Sequence, residues 1–188
     1  MKKVLVFLAD GFEEIEAISV VDVLRRADIT CNMCTINEEY VRGTHNIIIK
    51  SDCHIDSIDV KEYDAVVLPG GLPGADNLKD KRVEEIVKRF NAEDKIVAAI
   101  CAAPETLEGF GVLENKSCTS YPGFVKNRDK VNYIEDELVV VDNNIITSRG
   151  PATATLFALE ILKELGETKK SEEIKEGMMV KFYNQVIK

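Results

Sequence analysis

The chain has 188 residues, 45% of them apolar and 30% charged, the balance of a soluble globular protein with enough length to bury a core without a metal or disulfide staple. With 24 Lys and Arg against 33 Asp and Glu, its formal net charge is −9. That sign argues against nucleic acid or an anionic membrane as a partner, because both need a cationic surface.

The opening Lys2-Lys3 and the apolar run Val4–Ala9 are followed at once by Asp10, Glu13 and Glu14. A secretory signal needs roughly 7–15 apolar residues and a cleavage site, so Lys3–Ala9 reads as a buried strand. Glu13–Ala27 then carries Ile15, Ile18, Val21, Val23 and Leu24 at helical spacing. Further continuous runs at Ile29–Ile36, Asn46–Lys50, Ala65–Leu68 and Lys95–Ile100 suit strands covered on both faces. Val83–Phe90 is predicted as a helix, and Leu138–Thr147 as a hairpin turning at Asn143-Asn144. A helix over Ala152–Leu165 follows Pro151 and closes at Gly166, and Ser171–Val186 reads as one amphipathic helix.

No repeat, linker or apolar stretch of ~18 residues interrupts this order, so residues 1–188 read as one domain with no membrane span. The alternation predicts βαβ units and a doubly wound α/β sandwich with a mostly parallel sheet. Five cysteines, at 31, 34, 53, 101 and 118, are odd in number and scattered, which favours reduced thiols in a cytoplasm over a disulfide framework.

Ligand sites in open α/β sheets lie beyond the carboxyl ends of the strands, and three of those ends carry unusual residues. In KIVAAICAAPETL, Cys101 stands where a strand meets a helix, between small Ala99 and Ala103. A sharp elbow needs small neighbours, and a helix N-terminus favours thiolate. A plain buried cysteine is the competing reading, and the residues leave both open. Pro69-Gly70-Gly71 forms a tight loop whose amides can approach a ligand, or an ordinary glycine-rich turn. The first strand's exit carries Asp10, Glu13, Glu14 and Glu16 where a phosphate loop would need glycines, which speaks against a flavin or dinucleotide. Glu13 and Glu14 are expected to be solvated and to complement the helix dipole. Glu16, set between Ile15 and Ala17, is expected to stay protonated in the crevice and to donate to a thiolate.

Cys31 and Cys34 match C-x-x-C, but within a strand they point to opposite faces, and Cys53-His54 with His45 is too sparse for zinc. Cys118 needs only a packing role.

Four blocks in order, ADGFEEIEAISVVDVLRRA (9–27), VVLPGG (66–71), AAICAAP (98–104) and ITSRGPAT (146–153), resemble the ThiJ/PfpI superfamily in its DJ-one branch. The resemblance implies a flavodoxin-like fold and a homodimer formed through the first helix, around Glu14–Arg26. It also implies a nucleophilic Cys101 hydrogen-bonded by Glu16, backbone amides at Gly71 and Ala102 beside Gly70, and Arg149 at the pocket rim. Where the branch often has His-Pro, this chain has Tyr121-Pro122, and its histidines are only 45 and 54. Tyrosine, with a pKa of about 10, serves poorly as acid or base at neutral pH, so an amidase or peptidase ranks below two other readings. The first is a glyoxalase III or deglycase-like enzyme, acting on dicarbonyls or glycated amines and thiols without metal or cofactor. The second is a redox-sensing or chaperone-like stress protein with an oxidisable Cys101.

Overall fold

The computed structural model describes residues 2–186. β1 (Lys3–Leu8), α1 (Glu14–Arg26) and β2 (Thr30–Thr35) form the first βαβ unit. An outlying hairpin of β3 (Tyr40–Arg42) and β4 (Ile48–Lys50) leads to a two-residue strand, β5 (Cys53–His54). β6 (Ala65–Leu68), α2 (Gly74–Asn77), α3 (Lys81–Ala92), β7 (Ile96–Ile100) and α4 (Ala103–Gly109) follow. Beyond a short parallel pair, β8 (Ser117–Cys118) and β9 (Asn132–Tyr133), the chain closes with β10 (Val139–Asp142), β11 (Ile145–Ser148), α5 (Ala154–Glu164), α6 (Thr168–Gly177) and α7 (Val180–Val186).

The central sheet runs β10-β11-β7-β6-β1-β2-β5. All its pairings are parallel except that of β10 with β11. Alternate residues of β1 divide the core in two. Leu5 and Phe7 pack with Val83, Val87 and Phe90 of α3 and Leu107 of α4. Val4, Val6 and Leu8 pack with Val20 and Leu24 of α1 and Phe157 and Ile161 of α5. Helices on both faces explain why these strands are apolar throughout rather than at every second residue. This is the expected mostly parallel, flavodoxin-like α/β sandwich.

Some local expectations are corrected. The run Asn46–Lys50 does not enter the central sheet. Asn46 takes a left-handed φ of 66° and the chain turns back, so that Ile48–Lys50 pairs with Tyr40–Arg42. The second edge is instead the short Cys53–His54. The last predicted helix is broken in two, with Met179 at a φ of 62° between α6 and α7. Pro151 starts a short helical turn rather than α5 itself. The hairpin at Asn143-Asn144 forms as expected, Asn143 taking a φ of 54°. Among the described residues no helix is long and apolar enough to cross a membrane.

Candidate active site

β1, β6 and β7 are neighbours and parallel, so their carboxyl ends lie side by side. From these ends come α1 with Glu16, the Pro69-Gly70-Gly71 loop, and Cys101.

Cys101 lies between β7 and α4 with a φ of 64°, a conformation that non-glycine residues seldom adopt. Both sides of its peptide are fixed. Its N–H donates to Ser148 O (3.0 Å), and its carbonyl accepts from the N–H of Tyr121 (2.8 Å). Ala99, Ala102 and Ala103 are buried, which leaves no room for larger side chains around the elbow.

Glu16 is fully buried. Its backbone N–H is capped by the Glu13 carboxylate (2.8 Å), and its Oε2 accepts from the N–H of Gly70 (2.8 Å). The Cys101 thiol interacts with the same carboxyl, whose Oε1 is buried and has no hydrogen-bond partner. A Cβ at Gly70 would stand 2.7 Å from both Cys101 Cβ and Glu16 Oε2, so only glycine fits between acid and thiol. Gly71 has a φ of 89°, and its N–H and that of Ala102 both reach the Cys101 sulfur.

Burial, opposed by the hydrogen bonds from Cys101 and Gly70, pushes the Glu16 carboxyl up to about 7. Burial and then the negative charge of Glu16 push the Cys101 thiol up to about 12, against the pull of the Ala102 and Gly71 amides. The expected thiolate preference is therefore corrected: beside an ionised Glu16 the helix end and its amides are outweighed. When Glu16 holds a proton, the repulsion vanishes and the carboxyl becomes a donor to sulfur.

Tyr121 is half exposed, with its ring edge-on to Phe124 at 6.1 Å. The guanidinium of Arg149 donates to Glu135 O (2.6 Å) and Thr119 Oγ1 (3.2 Å), bracing the segment that leads into Tyr121.

Glu13 and Glu14 are not solvated as expected; both are buried. Glu13 caps α1, and its N–H donates to Gly70 O (2.9 Å), tying the helix start to the glycine loop. Glu14 accepts from the N–H of His45 (2.7 Å) and hydrogen-bonds His45 Nδ1 (2.8 Å). Burial raises the Glu14 pKa, but these hydrogen bonds win and hold it below the usual carboxylate range. No local signal marks this contact, because the partner comes from the hairpin 31 residues later. Glu13, Glu14 and His45 also form the one acid and histidine trio that converges among the described residues, within 4.8 Å. The capping and hydrogen-bonding roles already occupy these atoms. Cys31 and Cys34 face opposite core layers, as expected.

The DJ-1/PfpI family profile matches residues 2–164. Protein dj-1beta of Drosophila melanogaster is 39% identical over 184 residues, covering 96% of this chain and 98% of its own. A protein named as a deglycase from Pyrococcus horikoshii is 34% identical, covering 87% of this chain and 99% of its own. The crystal structure of Drosophila DJ-1beta superposes with a TM-score of 0.89 over 95% of this chain and 97% of that one. Oxidised DJ-1 of Toxoplasma gondii gives 0.88 at 33% identity, over 95% and 98%. With profile, sequence and fold in agreement across nearly its whole length, the chain belongs to the DJ-1/PfpI family.

Proposed function

We propose that this protein is a cofactor-independent enzyme acting on reactive dicarbonyls or their early adducts on amines and thiols, with Cys101 as nucleophile and Glu16 as its proton partner. The observation that carries this reading is the convergence of a buried carboxyl and two backbone amides on one strained cysteine sulfur. The deglycase name of the Pyrococcus relative points the same way.

With methylglyoxal, sulfur attacks the aldehyde carbon, a C–S bond forms, and the carbonyl oxygen becomes a hydroxyl. Glu16 moves a proton from that carbon to its neighbour while the new hydroxyl's proton passes to the neighbouring ketone oxygen, giving a lactoyl thioester, and water then releases lactate and the thiol. The Gly71 and Ala102 amides, aimed at the sulfur, are close enough to stabilise oxygen on the attacked carbon. A peptidase needs a base beside the nucleophile. A phenol is a poor base, His45 is engaged with Glu14, and His54 lies on β5, with β6, β1 and β2 between it and β7.

The second reading is a redox sensor or chaperone-like stress protein in which the same amides and protonated Glu16 hold a Cys101 sulfinate. The oxidised Toxoplasma relative lends it support. Lactate release from methylglyoxal, abolished in Cys101→Ser, is the result expected of the enzyme. A wild type that releases no lactate, yet accumulates Cys101 sulfinate in dilute peroxide, supports the sensor instead.

The functional unit we propose is a homodimer in a reducing cytoplasm. Ile15 of α1 and Ile47 beside β4 are exposed and frame an apolar groove with Ile18 and Ile49, next to the helix that the resemblance assigns to dimerisation.

A further inference from the structure

We propose that Cys34 and Cys53 form a second redox site, a dithiol that a hydroperoxide converts to an intramolecular disulfide. It is separate from Cys101 and does not rest on the catalytic reading above.

Cys34 and Cys53 are register partners on the parallel strands β2 and β5, so both side chains leave the same face of the sheet. Adjacent strands lie roughly 4.8 Å apart, inside the roughly 4.4–6.8 Å between α-carbons that disulfides span. The two thiols interact directly across the strand pair, while each donates to a β2 carbonyl, Cys34 to Thr35 O (3.7 Å) and Cys53 to Met33 O (3.8 Å). β5 is two residues long and is the outermost strand, so a small tilt that brings the sulfurs to bonding distance disturbs no further neighbour. Cys31, three residues before Cys34, packs in the opposite core layer and takes no part.

The partners are unequal in the way a sensing pair requires. Cys34 is fully buried, whereas Cys53 is half-buried and lines a cleft of about 250 Å³ with Thr35, Glu39, Ser51 and His54. Interaction with the Cys34 thiol, and to a lesser degree with the Tyr63 hydroxyl, holds the Cys53 pKa below the ordinary thiol value despite burial and nearby Asp52. Cys53 is therefore the attacking sulfur and Cys34 the resolving one.

The Cys53 thiolate attacks a peroxide oxygen. An S–O bond forms, the O–O bond breaks, and hydrogen peroxide leaves one water, giving a sulfenic acid. The Cys34 sulfur then displaces the hydroxyl, its proton leaving with the second water. The dithiol loses two electrons and peroxide gains them. An excess of small-molecule thiol reverses the change.

The test is peptide mapping of the full chain after graded hydrogen peroxide, without reduction. Trypsin should release residues 27–42 linked to residues 51–61, with fragment ions placing the bond on Cys34. The link should vanish on dithiothreitol, survive Cys31→Ala and Cys101→Ser, and stay within a single chain on a non-reducing gel. In Cys34→Ala, dimedone-trapped Cys53 sulfenate should rise several-fold over wild type. Cys53→Ala should leave peroxide oxidation of Cys101 unchanged. The proposal is overturned if wild-type Cys53 proceeds to sulfinate or stays reduced while no link appears, or if the link joins two chains. Loss of lactate release in these variants bears only on Cys101.

Discussion

A buried carboxyl beside a half-buried thiol is the central electrostatic choice at Cys101. The folded protein binds the Glu16 proton more tightly than the unfolded chain does, with a pKa of about 7 against an ordinary 4.5. The resulting stabilisation is fully present below pH 4.5 and is lost as pH rises through 7. Glu16→Gln keeps an acceptor for the Gly70 N–H and has no proton to lose. Its stability relative to wild type should therefore improve by up to roughly 3 kcal/mol between pH 4.5 and pH 8. Urea unfolding at pH 5 and pH 8 measures this; a difference that stays constant would mean that Glu16 is not the titrating group. Tyr121 presents the opposite case, a side chain half in solvent whose backbone does the positioning. Tyr121→Phe should retain dicarbonyl activity within about tenfold, since a hydroxyl hydrogen bond contributes roughly 0.5–1.5 kcal/mol. A thousandfold fall in kcat would assign the hydroxyl to proton transfer.

Among the elements, the loop after β6 is the most constrained. A Cβ on Gly71 would stand 2.4 Å from both Glu13 N and Gly11 O, which are backbone atoms that cannot swing aside. Gly123 has nearly the same φ, 90°, with nothing within 4 Å of such a Cβ. Gly71→Ala should therefore destabilise the fold by at least about 2 kcal/mol, and Gly123→Ala by about 1 kcal/mol. Equal losses in chemical denaturation would show that backbone conformation alone matters at both positions.

The elements legible in the sequence were those with local causes. The runs of β1, β6 and β7 are apolar because helices cover both faces, and the small residues around Cys101 reveal an elbow whatever the chain does elsewhere. Glu16 stood out by its place between apolar neighbours. The burial of Glu14 was not legible, because His45 reaches it only through the turn at Asn46. Nor was the Cys34–Cys53 pairing, which depends on how far the β3–β4 hairpin carries the chain before it rejoins the sheet. The break at Met179 was hidden for another reason: methionine is a good helix former, and nothing in its type announces a left-handed φ.

At the scale of the whole molecule, the exposed isoleucines on α1 and beside β4 are the surface that an isolated chain would leave wet. Wild type should sediment as a dimer, and Ile15→Glu, which places a charge in the apolar groove, should shift it towards monomer at micromolar concentration. A monomeric wild type would remove the dimer from the functional reading.

The tether from Cys101 N–H to Ser148 O has a consequence for biogenesis. β7 acquires its outer neighbour, β11, only after residues 145–148 have been made, more than forty positions beyond the cysteine. Until then the strand that presents the sulfur is an open edge, and its left-handed turn lacks one of its two anchors. On the ribosome the elbow is thus only half anchored until residues 145–148 are made, although Glu16, Gly71 and Ala102 precede them. A chain released before residue 145 carries the cysteine in an elbow that lacks its β11 anchor.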